Sequence, residues 1–156
     1  MSQDFEHDLP FLLHDVARLM RVEADKRARV HGMTRAQWGV LLRLERHPGL
    51  SQKEIADMLE VEPISVARLV DRLEASGMIE RRPDAADRRI WRLHLRPAAA
   101  PVLKEIAVQR AELTRLAIQS VSPAVEAAMV LGLKQMKTNL LRTQAPDASG
   151  SIREIA

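Results

Sequence analysis

The chain has 156 residues, 46% apolar and 29% charged, a balance that suits one folding unit with a well-buried core and argues against a disordered or fibrous chain. It contains no cysteine, which excludes disulfide staples, thiolate nucleophiles, thiol redox sensing and Cys-ligated zinc together. The net charge of +3 is a weak pointer to a polyanionic partner, but its distribution is uneven: Met78 to Arg96 holds six arginines against three acids.

Membrane spanning is not expected, since the longest apolar run falls far short of the roughly 20 residues a bilayer requires. Met1 to Asp8 is acidic and polar, without the basic start and apolar stretch of a secretory signal, so the expected location is the cytoplasm.

From Pro10 to His31, Leu9, Leu12, Leu13, Val16, Leu19 and Met20 recur at helical spacing, and Gly32 follows as a stop. Thr34 and Gln37 form a capping box for a second helix carrying Trp38, Leu41, Leu42 and Leu44 and ending at His47-Pro48-Gly49. A second box, Ser51 with Glu54, opens a helix of about two turns. After Leu59-Glu60-Val61 a fourth helix starts near Pro63, which suits a first helical turn, and runs to Gly77.

The period then changes. Met78 to Arg82 and the alternating Ile90 to Leu95 read as two strands joined by the turn-rich tip Pro83-Asp84-Ala85-Ala86-Asp87-Arg88-Arg89. A long helix follows from about Pro97, and Ser122-Pro123 opens another with Val125, Met129, Leu133, Met136 and Leu140. The segment 145–156 reads as a flexible tail.

A short helix, a tight turn, a second helix and a basic hairpin are the ordered parts of a winged helix-turn-helix. The expected fold is thus mainly α with a small two- or three-stranded β-wing, in one domain. Residues 34–96 form the lobe, and long helices at 8–32 and 97–144 serve dimerisation. In the fourth helix Val66, Val70 and Leu73 share one face, which leaves Ser65, Arg68, Leu69 and Arg72 on another, with Pro63 at the helix start. Hydroxyl and guanidinium groups there can reach base edges or phosphates, and Arg68 is the leading candidate. Arg68 and Arg72 can equally pair with Asp71 or Glu74 on an exposed helix. The wing tip adds Arg88 and Arg89, suited to a neighbouring minor groove, with Asp87 placed to orient a guanidinium.

With these residues in view, the chain resembles the MarR/SlyA family of bacterial regulators over nearly its whole length. The resemblance lies in Leu50-Ser51-Gln52-Lys53-Glu54-Ile55-Ala56, in Val70-Asp71-Arg72-Leu73-Glu74-Ala75-Ser76-Gly77-Met78-Ile79-Glu80-Arg81, and in Asp87-Arg88-Arg89 followed by Leu93 and Leu95. It implies a homodimer on a palindromic operator in double-stranded DNA, a repressor released by a small effector, with Arg89 as the minor-groove arginine and Asp87 as its orienting partner. Two positions depart from the family pattern: Glu60 stands where a turn glycine is common, and Leu95-Arg96 replaces a Leu-Thr pair.

The resemblance also implies an effector pocket where the dimerisation helices meet the lobe, often for phenolic or aromatic carboxylate ligands. His14 and Arg18, four apart on the first helix, and Trp38 are its candidates here, although Trp38 also reads as core and Arg18 as a solvated cation. His7, His14, His31, His47 and His94 show no metal-ligand spacing, and no catalytic motif is present, so neither a metal, a cofactor nor an enzyme is expected. The competing reading is a helical protein-interaction module with an incidental basic hairpin, which salt-dependent binding to duplex DNA would separate from a DNA-binding regulator.

Overall fold

Local capping chemistry defines most element boundaries. The computed structural model describes residues 7–144. Helix α1 (Leu9–Val30) is opened by Asp8, whose carboxylate accepts from Phe11 N at 2.9 Å. It closes over Arg27 and Arg29, which favour the negative end of the helix dipole, and Gly32 turns the chain at φ +68°. Helices α2 (Arg35–Arg46) and α3 (Gln52–Leu59) each begin with a reciprocal capping box, Thr34 with Gln37 and Ser51 with Glu54. Helix α4 (Pro63–Ala75) carries proline in its first turn and is capped by Ser76, after which Gly77, the expected stop, turns the chain at φ +72°.

Strands β1 (Ile79–Pro83) and β2 (Trp91–Leu95) pair antiparallel, with Ile79 opposite Leu95 and Pro83 opposite Trp91. The free edge of β2 is extended by the segment before α3: Gly49 N donates to Leu93 O at 3.0 Å, Leu93 N to Leu50 O at 2.9 Å, and Ser51 bridges Arg92. Among the described residues the sheet proper has two strands, and this isolated bridge stands in the place of a third.

After β2 the chain makes a single 3-10 turn, Pro97–Ala99, before α5 (Ala100–Ala117) begins. Arg96 offers no side-chain cap, so the helix expected from Pro97 enters through the tighter turn, with Ala99 N donating to Arg96 O. The last helix, α6 (Pro123–Gln144), is introduced by Ser122, whose hydroxyl accepts from Val125 N.

Contacts divide the chain into two units, Met1–Ala117 and Ile118–Ala156. In the first, α2, α3, α4, β1 and β2 close around Leu41, Leu44, Ile55, Val66, Val70, Leu73, Ile79 and Leu93, with Ile106 of α5 and Ala28 of α1 joining the same cluster. Every buried side chain among the described residues is apolar. Burying each Leu or Ile contributes roughly 1.5–3 kcal/mol, so this cluster fixes α4 and the hairpin against α2. In the second unit α6 leaves Val125, Met129, Leu133 and Leu140 about half exposed. Among the described residues no helix is long and apolar enough to cross a membrane. The segment 145–156, read above as a tail, lies outside the described residues.

Candidate nucleic-acid interface

Helix α4 buries Val66, Val70 and Leu73 completely or nearly so, which turns Ser65, Arg68 and Arg72 outward and leaves Leu69 half-buried. The carboxylates with which Arg68 and Arg72 could have paired are engaged elsewhere. Arg81 of β1 bonds both Asp71 and Glu74 through its guanidinium and also donates to Gln52 of α3 at 3.2 and 3.3 Å. Its backbone N–H reaches Glu74 as well, at 3.1 Å. Burial works against the Arg81 charge, but the two carboxylates outweigh it and raise its pKa. One arginine therefore ties α3, α4 and β1 together and leaves Arg68 and Arg72 without an ion pair among the described residues.

The wing tip is built around two aspartates. Asp84 accepts from Ala86 N and Asp87 N at 2.7 and 3.0 Å, and from Arg92 Nε at 2.6 Å. The Arg92 bond and the two backbone N–H groups hold the Asp84 carboxyl at about 2. Arg92 also reaches Glu54, the capping carboxylate of α3, at 2.9 Å, so the root of the wing is fastened to the start of that helix. Asp87 accepts from the Arg89 backbone at 3.0 Å and from its guanidinium at 3.0 and 2.9 Å. The Arg89 side chain is 90% exposed, a cation held in one orientation at the end of the hairpin. Arg88 beside it is exposed and unpaired among the described residues.

This surface joins a rigid helix with free guanidinium groups to a fastened hairpin that ends in an aimed one. The MarR family model matches residues 31–90, from the end of α1 through the wing tip. The solved structure of MarR is 26% identical, covers 92% of this chain and 97% of its own, and superposes with a TM-score of 0.80. The chain is similar to the MarR family of transcription regulators, in sequence through the lobe and in fold over nearly its whole length. The structure of the transcriptional regulator SlyA is also 26% identical, covering 85% of this chain and 94% of its own with a TM-score of 0.71. A Thauera aromatica protein assigned to transcriptional regulation of the hcr operon is 35% identical over 75 residues, 48% of this chain. That match spans 45% of the relative's own length.

The two departures from the family pattern noted above have structural consequences. Glu60 occupies the left-handed region at φ 55° and ψ 44°, so the turn between α3 and α4 takes the conformation glycine would favour and holds it with a side chain. Arg96 leaves the following helix without a hydroxyl cap, and the 3-10 turn takes its place.

Three residues of the interface were not singled out from the sequence. Ile64, 63% exposed in the first turn of α4, lies one turn before Arg68 and presents an apolar surface suited to a thymine methyl. Arg81 was legible in principle, since strand alternation puts it on the same side as the buried Ile79. Arg92 had no local signal, because its partners are eight and thirty-eight residues away.

A cavity of about 310 Å³ opens among α1, α2, α5 and the end of α3. Met20, Trp38, Leu42, Leu59 and Leu113 supply apolar wall, and Arg21, Arg27, Arg35, Arg43 and Arg110 supply cations. Of the three pocket candidates only Trp38 lines it. His14 is exposed on α1, and Arg18 lies on the same exposed stretch, paired with Asp15 at 2.6 Å. Among the described residues no cluster of His, Asp and Glu could hold a metal ion.

Proposed function

We propose that the chain is a homodimeric, sequence-specific repressor that places α4 in the major groove of double-stranded DNA and Arg89 in the adjoining minor groove, on a palindromic operator that a small effector releases. One observation carries this reading: Arg81 occupies the acids of α4, so Arg68 and Arg72 are presented unpaired beside Ser65 on a helix whose opposite face is locked in the core. A helix of these dimensions fits the major groove, and a bidentate arginine-to-guanine contact contributes roughly 1–3 kcal/mol of discrimination. The apolar stripe of α1, with Leu9, Val16 and Leu19 about half exposed, supports a second copy as partner, as does the exposed apolar surface of α6. The effector reading draws on the cavity beside α3. The alternative of a protein-interaction module leaves the oriented arginine of the wing without a purpose.

The test begins with selection of bound duplexes from a random pool and light scattering of the free protein. An enriched palindrome and a dimeric mass are expected. Arg68→Ala should keep the fold and the dimer while losing most discrimination between the selected duplex and random DNA. A variant that discriminates as well as the parent would remove Arg68 from base reading.

A further inference from the structure

Among the described residues of α4, Ile64 is the one large apolar side chain that stands exposed, at 63%, while Leu69 is half-buried and Val66, Val70 and Leu73 are enclosed. A lone exposed apolar residue is ordinary on a protein surface, but the position of this one is not. Ile64, Arg68 and Arg72 follow at four-residue spacing and form one stripe, opposite the buried stripe of Val66, Val70 and Leu73. Ile64 therefore shares its face with two guanidinium groups that have no ion pair among the described residues.

The residue is also built to read rather than to adapt. Side chains lean toward the N-terminus of their helix, so Ile64, in the first turn, is carried at the leading end of α4. That is the end whose residues meet base edges when a helix-turn-helix enters the major groove. Branching at Cβ leaves isoleucine essentially one χ1 rotamer in a helix, so little side-chain freedom is lost when it is covered. Behind it, the core contacts of Val66 and Val70 and the bonds from Arg81 to Asp71 and Glu74 hold the helix that presents it. A hydrocarbon side chain neither donates nor accepts a hydrogen bond. In the major groove its match is the C5 methyl of thymine, the one apolar group that the four bases present there.

Resting on the DNA-binding function proposed above, we infer that Ile64 determines specificity for a C5-methylated pyrimidine: thymine in ordinary DNA, and 5-methylcytosine in preference to cytosine at the same position. Four residues of helix rise about 6 Å, so the methyl lies within about two base pairs of the pair that Arg68 reads. Cytosine methylation at that position raises affinity through this side chain, because the added methyl occupies the same place in the groove as that of thymine.

The test uses the duplex enriched from the random pool, with each thymine of the half-site replaced in turn by deoxyuridine, which pairs with adenine as thymine does and lacks only the methyl. At one position, affinity should fall about fourfold for one half-site and about fifteenfold when both are altered. Ile64→Ala should bind the thymine and uracil duplexes equally, and Ile64→Val should keep most of the preference. Both variants should unfold near the parent's temperature, since the side chain is exposed. With cytosine paired to guanine at that position, 5-methylcytosine should bind the parent about fourfold more tightly than cytosine, and Ile64→Ala should not distinguish them. A uracil penalty of equal size in the parent and in Ile64→Ala arises from the DNA itself and overturns the contact. So does the absence of a penalty at every thymine, or an enriched half-site without thymine. Failure to enrich any duplex overturns the DNA-binding reading and this inference with it, whereas an enriched duplex indifferent to its methyl groups overturns the inference alone.

Discussion

Arg89→Ala isolates the contribution of the wing. Its guanidinium is 90% exposed and bonded to Asp87 alone, so removing it leaves the core and both strands intact, and thermal unfolding should be nearly unchanged. If each guanidinium neutralises one phosphate, a dimer loses two such contacts, and the slope of log affinity against log salt should become shallower by about 1.8. Over a fourfold change in salt, between about 50 and 200 mM, that difference changes the advantage of the parent over the variant by about twelvefold, with the larger advantage at low salt. Asp87→Asn is the matched control: it keeps the Arg89 charge but removes the carboxylate that orients it. Its affinity should fall with little loss of slope. Fluorescence anisotropy on the selected duplex over a salt series measures both. An Arg89→Ala slope equal to the parent's would refute a groove or phosphate contact, whatever happened to affinity at one salt concentration.

Arg81→Ala should cost about 1–3 kcal/mol in chemical denaturation, because it removes charge-assisted bonds to two carboxylates and frees Asp71 and Glu74 to pair with Arg68 and Arg72. DNA affinity should fall with it, and preserved affinity would mean that the acids of α4 do not compete for those arginines. Asp84 predicts an acid limit for the wing. Its pKa is lowered from the usual 3.8 to about 2, so its contribution is complete above the unfolded value and lost as pH falls through about 2. Fluorescence of Trp91, across the strand pair from Pro83, should report loosening of the hairpin in that window, and Asp84→Asn should loosen it at neutral pH. Glu60→Gly should stabilise the fold by about 1 kcal/mol by relieving a left-handed side-chain residue, raising Tm by about 2–4 °C. A lower Tm would show that the glutamate side chain stabilises the turn by more than its backbone conformation costs.

Capping boxes, proline at a first helical turn and a change of period at Gly77 made the order of elements legible, because those signals act within a few residues of the structure they determine. Pairing of charges was not legible on the same terms. Asp71 and Glu74 are local neighbours of Arg68 and Arg72, and spacing alone makes them natural partners. Arg81, on a strand, takes both because the packing of Val70 and Leu73 against Ile79 brings β1 alongside α4. The pocket shows the same limit from the other side. Spacing puts His14 and Arg18 on one face of α1, but says nothing of which turn of that helix meets α2 and α5. The meeting occurs further along, where Ala28 is buried and Arg27 reaches Gln109 at 3.0 Å. The first half of α1 keeps its periodic apolar residues exposed, with Leu9 at 54% and Leu19 at 52%. Periodicity there records an apolar face, not what covers it.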